Sequence, residues 1–127
     1  MYRLKVISNF SAAHNLRDYK GKCEALHGHN YKVEVVLEGS MLDNNGLLID
    51  FKDIKESLKK VIDKLDHKYL NELSYFIEIN PSSENLAKYI YSELQNIYCD
   101  KMCSVTIWET NGSAATYCEN IVVEKYY

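Results

Sequence analysis

The apolar residues of this chain change period twice. From Tyr31 to Glu38 they alternate, with Tyr31, Val33, Val35 and Leu37 set against Lys32, Glu34 and Glu38. A period of two marks one face of a strand. From Phe51 the spacing becomes 3, 4, 3 and 4, through Ile54, Leu58, Val61 and Leu65. That is a single stripe along a helix. A second stripe, Leu86, Ile90, Leu94 and Ile97, follows Pro81-Ser82-Ser83-Glu84. Strand-like segments then return at Ser104–Thr110 and Tyr117–Glu124, joined through Asn111-Gly112-Ser113, and an earlier one occupies Tyr2–Ile7. The order ββααββ predicts an α+β fold, a four-stranded antiparallel sheet with two helices on one face.

The boundaries carry their own signals. Asp50 is placed to cap the first helix, with Asp53 in its first turn, where a negative charge suits the helix dipole. That helix is expected to end near Asp66-His67, and a serine cap with Glu84 in the first turn opens the second. No repeat, linker or low-complexity tract divides the chain, so residues 1–127 are expected to form one domain. The net charge of −3 argues against a nucleic-acid partner. The apolar runs are too short to span a membrane, and the start, Met1-Tyr2-Arg3-Leu4-Lys5-Val6, lacks the apolar centre of a signal peptide. A cytoplasmic location is therefore expected. Cys23, Cys99, Cys103 and Cys118 include no C-x-x-C pair and are expected to be free thiols, with the last three in the role of small buried residues.

Chemistry concentrates in Cys23-Glu24-Ala25-Leu26-His27-Gly28-His29. If the second strand starts at or before them, His27 and His29 point to the same face and can chelate one ion. Gly28 keeps the opposite face clear and lets backbone approach closely. His14, just past the first strand, supplies a third ligand if the two strands are neighbours. Three nitrogens with an open fourth position describe a catalytic zinc rather than a structural one. No H-E-x-x-H motif is present. Cys23 follows Lys20 and Lys22, and is a candidate fourth ligand, nucleophile or general base, or else a small buried residue. Asp66 beside His67 can orient the imidazole, although histidine also suits a helix C-terminus electrostatically. Glu109 alternates with Cys103, Val105 and Ile107 toward the core, where a carboxylate needs a partner. That partner is an internal cation or a ligand with paired N–H donors; otherwise Glu109 is a strand-end residue in water.

Six segments fall in one order: Phe10-Ser11-Ala12-Ala13-His14, C-x-x-x-H-G-H at 23–29, G-x-x-x-D-F at 46–51, Leu65-Asp66-His67 with Leu70-Asn71, Pro81-Ser82-Ser83-Glu84-Asn85-Leu86, and Trp108-Glu109-Thr110. Together they resemble the 6-pyruvoyl-tetrahydropterin synthase family, over nearly the whole chain. Within it the resemblance is to the bacterial 6-carboxy-5,6,7,8-tetrahydropterin synthases of queuosine biosynthesis. The resemblance implies the tunnelling fold, in which three subunits close their sheets into a barrel and two trimers stack as a homohexamer. It implies Zn2+ on His14, His27 and His29, Cys23 as general base with Asp66 and His67 as acid–base partners, and Glu109 as pterin anchor. It places active sites between subunits.

The implied reaction converts 7,8-dihydroneopterin triphosphate to 6-carboxy-5,6,7,8-tetrahydropterin, releasing acetaldehyde and triphosphate. Two alternatives stay open. One is a 6-pyruvoyl-tetrahydropterin synthase or another lyase of reduced-pterin side chains. The other is a pterin- or metal-binding protein without catalysis. A triphosphate substrate also asks for local positive charge, for which Arg17, Lys20, Lys22 and Lys68 are candidates.

Overall fold

The computed structural model describes residues 1–119. Its elements run β1 (Tyr2–His14), β2 (His27–Gly39), α1 (Phe51–Ile62), α2 (Ser83–Tyr98), β3 (Met102–Thr110) and β4 (Ser113–Tyr117). The four strands form one sheet in the order β1-β2-β3-β4, every neighbouring pair antiparallel. Helix α1 lies against β1, and α2 against β3 and β4. The expected α+β arrangement is therefore the one observed. Among the described residues no helix is long and apolar enough to cross a membrane.

One face of the sheet is apolar because alternate residues of each strand point the same way. Val6 and Phe10 of β1, Val33, Val35 and Leu37 of β2, and Val105 and Ile107 of β3 are buried on it. The helices cover this face with Ile54, Leu58 and Val61 from α1 and Leu86, Ile90 and Leu94 from α2. The caps form as the sequence indicates. Asp50 accepts from the Lys52 amide at 2.9 Å, and Ser82 from the Asn85 amide at 3.2 Å. The opposite face is polar, with a salt bridge between Arg3 and Glu38, a bond from Ser11 to Asn30, and Trp108 donating to Glu34.

Several boundaries move. β1 does not stop at Ile7 but runs on to His14, because Phe10, Ala12 and His14 continue the buried alternation through a polar-looking stretch. α1 ends at Ile62, and Leu65 is buried from the turn that follows rather than from the helix. Ile97 is 56% exposed and leaves the stripe of α2. β4 begins at Ser113, which had been expected in the turn; residues 120–124 of the expected last strand lie outside the described residues. A register shift opposite Val36 and Leu37 lets Met102 take the core position and leaves Cys103 only half-buried, so Cys103 does not share the core face with Val105. Cys99 is exposed and Cys118 half-buried; neither is the small core residue expected.

Leu94 is fully buried between α2 and the sheet. Leu94→Ala should cost about 3 kcal/mol by urea denaturation, whereas Ile97→Ala should stay within about 0.5 kcal/mol of the parent.

Candidate metal centre and active site

The antiparallel register of β1 and β2 pairs His14 with His27 and Ala12 with His29. Directly paired residues share a face, so all three imidazoles stand on the inner, helix-covered side. Ala12 is small enough to leave room for the His29 ring above it. The three rings stand edge to face, at 69–89° to one another, with centroids 4.7–5.1 Å apart. They occupy the end of the sheet where the apolar row Leu37, Val35, Val33, Tyr31 runs out. Phe10 and Tyr31 stack at 4.8 Å beside them.

Two of the rings have their protons fixed by the backbone. His14 Nδ1 lies 2.7 Å from the Pro81 carbonyl oxygen, and His27 Nδ1 lies 2.8 Å from that of Ala25. A carbonyl oxygen only accepts, so each Nδ1 carries a proton, and in the neutral ring each Nε2 is then left bare. The two bare Nε2 atoms face each other at 3.1 Å. Two lone pairs at that distance repel unless a cation stands between them. His29 Nε2 is buried without a hydrogen-bond partner, although a Glu109 oxygen lies 2.8 Å away. Burial holds His29 below the ordinary imidazole range, with the neighbouring His14 and His27 acting in the same sense and Glu109 opposing. A neutral imidazole is the form that ligates a metal.

Glu109 was expected on the core side in search of a partner. It sits on β3 where the pairing with β4 shifts register between Trp108 and Thr110. Its Oε1 lies 3.4 Å from His14 Nε2 and its Oε2 accepts from Ser83 Oγ at 3.3 Å. One donor atom from each of His14, His27, His29 and Glu109 falls within 4.8 Å of the others. Metal–nitrogen bonds of about 2.0–2.1 Å in a tetrahedron place neighbouring donors roughly 3.3 Å apart. The donor set therefore fits a divalent metal ion. Pro81 and Ser83, from the start of α2, hold His14 and Glu109 respectively; the Pro-Ser-Ser segment is part of the site's support.

Asp66 and His67 lie on the free edge of β1. Asp66 Oδ1 accepts from the Ser11 amide at 2.9 Å and lies 3.0 Å from His67 Nδ1. The Ser11 amide, and secondarily His67, hold the Asp66 carboxyl below the usual range. The His67 amide donates to Ser11 and the Ala13 amide to Lys68, so residues 67–69 continue the sheet beyond β1. His67 adopts φ +58° and its side chain is 82% exposed. It stands in a turn four residues past the end of Asp63, the C-cap of α1, so it is not a helix-terminal histidine. With Ser11, Gly28, His29, Asn30 and Lys68 it lines a surface groove.

Cys23 is an exposed free thiol in the loop between β1 and β2. It is thus not a small core residue. The loop is pinned beside it: Glu24 pairs with the Leu16 backbone, and Asn15 and Arg17 are tied to Asn71 and Asn80. The Arg17 guanidinium donates to the Asn71 and Phe76 carbonyls, at 3.3 and 2.6 Å. That engagement ties one nitrogen of the Arg17 guanidinium to the segment between α1 and α2. Within one chain, Cys23 is not joined to Asp66, His67 or the histidine cluster by any such contact. Gly28 has no steric need to be glycine: an added Cβ would meet only the Ala12 carbonyl, at 3.5 Å. Sequence reasoning missed the supports Pro81 and Ser83, for which the Pro-Ser-Ser motif was the signal, and Tyr31, whose hydroxyl lies 3.2 Å from His14 Nδ1.

Residues 3–120 match the 6-pyruvoyl tetrahydropterin synthase family. The chain belongs to that family. It is 36% identical over 114 residues to the 6-carboxy-5,6,7,8-tetrahydropterin synthase of Synechocystis, covering 86% of this chain and 87% of that one. It is also 36% identical over 120 residues to the 6-pyruvoyl tetrahydrobiopterin synthase of Dictyostelium discoideum, covering 85% and 89%. The structure superposes on 6-pyruvoyl tetrahydropterin synthase from Caenorhabditis elegans with a TM-score of 0.83 at 27% identity, covering 94% and 96% of the two chains. Membership of this family makes the chain a pterin lyase by descent, with a cluster able to bind a metal.

Because its ligands must be neutral, the centre should retain a divalent ion on dialysis at pH 7.5 and lose it as the pH falls below about 6. The sign follows from His29: the unfolded imidazole protonates first, so acid also subtracts stability. Elemental analysis of His27→Ala should show the ion lost at pH 7.5. Full occupancy in that variant would remove His27 from the ligand set.

Proposed function

We propose that this chain is a zinc-dependent lyase that converts 7,8-dihydroneopterin triphosphate and one water to 6-carboxy-5,6,7,8-tetrahydropterin, with release of acetaldehyde and triphosphate, in queuosine biosynthesis. The observation that carries the reading is the pair of bare Nε2 atoms facing each other 3.1 Å apart, with His29 and Glu109 completing the set. Imidazole donors on a rigid sheet suit zinc. His14, His27 and His29 would hold it, and bound there it supplies a Lewis acid for the side-chain oxygens of the substrate.

The remaining roles belong to this chain's own groups. The Cys23 thiolate takes a proton from a side-chain carbon of the substrate. Asp66, held ionised by the Ser11 amide, orients His67, which gives and receives protons on the side-chain oxygens. The Glu109 carboxylate accepts the pterin's adjacent ring N–H and amino N–H as a bidentate pair. Lys68, beside His67 in the surface groove, with Lys20 and Lys22 near Cys23, supplies charge for the triphosphate.

Since Cys23 makes no contact with Asp66 or His67 within a chain, the two parts of the acid–base machinery are proposed to meet across subunits. A four-stranded sheet with β1 and β4 at its margins is suited to pairing with further copies. A barrel of three subunits, doubled into a homohexamer, satisfies both requirements.

A second reading, a 6-pyruvoyl-tetrahydropterin synthase, is favoured by the Dictyostelium relative and the C. elegans structure, which carry that name. Incubation with 7,8-dihydroneopterin triphosphate separates the two. The proposal expects acetaldehyde in amounts equal to triphosphate, and a pyruvoyl pterin without acetaldehyde would replace it. Binding without turnover would leave a pterin-binding protein. Cys23→Ala should lower kcat by about 100-fold or more with the metal retained; undiminished turnover would strip the thiol of its role.

A further inference from the structure

We propose that Glu109 serves two ligands in turn: it closes the fourth position of the metal while the site is empty, and leaves the metal for the pterin ring when substrate enters. The inference rests on the reading above, that the centre holds a metal and takes a pterin.

Four observations support it. First, the carboxylate is not where a residue reserved for substrate would wait. Oε1 lies 2.8 Å from His29 Nε2 and 3.4 Å from His14 Nε2, among the nitrogens and at the spacing of a fourth donor. Second, the approach to His29 is not a hydrogen bond, since Nε2 remains buried and unpartnered despite the short distance. Glu109 Oε1 and the Nε2 atoms of His14 and His29 converge, and with both rings neutral and protonated at Nδ1 all three are acceptors that one cation satisfies together. Third, Oε2 turns away to the hydroxyl of Ser83, which is buried at the start of α2. One oxygen toward the cluster and the other on a hydroxyl is the posture of a monodentate ligand. Fourth, Glu109 stands at the register shift between β3 and β4 and is about one third exposed. Its side chain is the member of the set least fixed by the ladder.

The two roles exclude each other. A carboxylate that spends both oxygens on the paired N–H donors of a pterin cannot also close the metal and hold Ser83. Ring binding therefore opens the coordination position at which a side-chain oxygen would bind. Ligand exchange of this kind makes the reacting position available only when the correct ring is in place, and it would keep stray donors off the metal otherwise. Linkage requires the converse: a pterin ring that takes Glu109 must weaken metal binding by the factor by which the metal weakens ring binding.

The test uses Co2+ in place of the native metal, read by its visible absorption and by competition with a chelator. The probe is 6-methylpterin, a ring without side-chain hydroxyls. The wild type should give the intense bands of a four-coordinate site, and 6-methylpterin should weaken its hold on Co2+. Glu109→Gln should bind Co2+ about tenfold to a hundredfold less tightly, with affinity no longer responsive to 6-methylpterin. Circular dichroism and a urea midpoint of Glu109→Gln matching those of the wild type guard against a folding defect in that variant. Equal Co2+ affinity and spectrum in wild type and Glu109→Gln would overturn the exchange while leaving the lyase reading intact. Failure of the wild type to bind Co2+ at all would overturn both.

Discussion

The pairing of His14 with His27 across β1 and β2 is the constraint on which the rest of the site depends. Strand side chains repeat with a period of two, so a slip of one residue would send one of these rings to the polar face. The slip is prevented further along the same pair of strands. Val6 opposite Val35 and Phe10 opposite Tyr31 are buried together, and any other register would expose them. The hydrophobic core thus does more than stabilise the domain. It fixes the phase in which three polar residues at the end of the sheet arrive on the inner face.

That arrival would be costly in an ordinary protein. His14 is 2% exposed, and His29 Nε2 has no hydrogen-bond partner. Burying a polar group without a partner costs on the order of 1–3 kcal/mol. The backbone engages one nitrogen each of His14 and His27 through Pro81 and Ala25, and in doing so aims the other nitrogen of each ring at its neighbour. The frustration at the centre is therefore imposed by the same hydrogen bonds that satisfy its edges, which is the signature of a site shaped for a cation. Around it the fold supplies rigidity unevenly. The histidines stand on the longest pair of strands, while Cys23 and His67 stand on exposed turns whose bases are pinned by Asn71, Asn80 and Ser11.

Much of this was legible in the residues. Alternation in β2 and the 3-4 spacing of both helices gave the layer order, and the H-x-H pair with an upstream histidine located the cluster. Three features were hidden for physical reasons. The second half of β1 reads as a loop because Asn9, Ser11 and Ala13 face a polar surface and His14 is not apolar, though the alternation persists. The shift that moves Met102 into the core is a bulge, which strict alternation cannot reveal. The end of α1 and the left-handed turn at His67 are set by pairing of residues 67–69 with the edge of β1, a long-range contact. The supports at Pro81 and Ala25 act through carbonyls, which any residue could supply.

The most direct measurement is a crystal structure of the protein as purified, with diffraction recorded on both sides of the zinc absorption edge. A single anomalous peak between the Nε2 atoms of His14, His27 and His29, within about 2.0–2.1 Å of each, is the predicted result. Rings turned apart, or an anomalous peak bound elsewhere with the cluster collapsed onto shared protons, would contradict it.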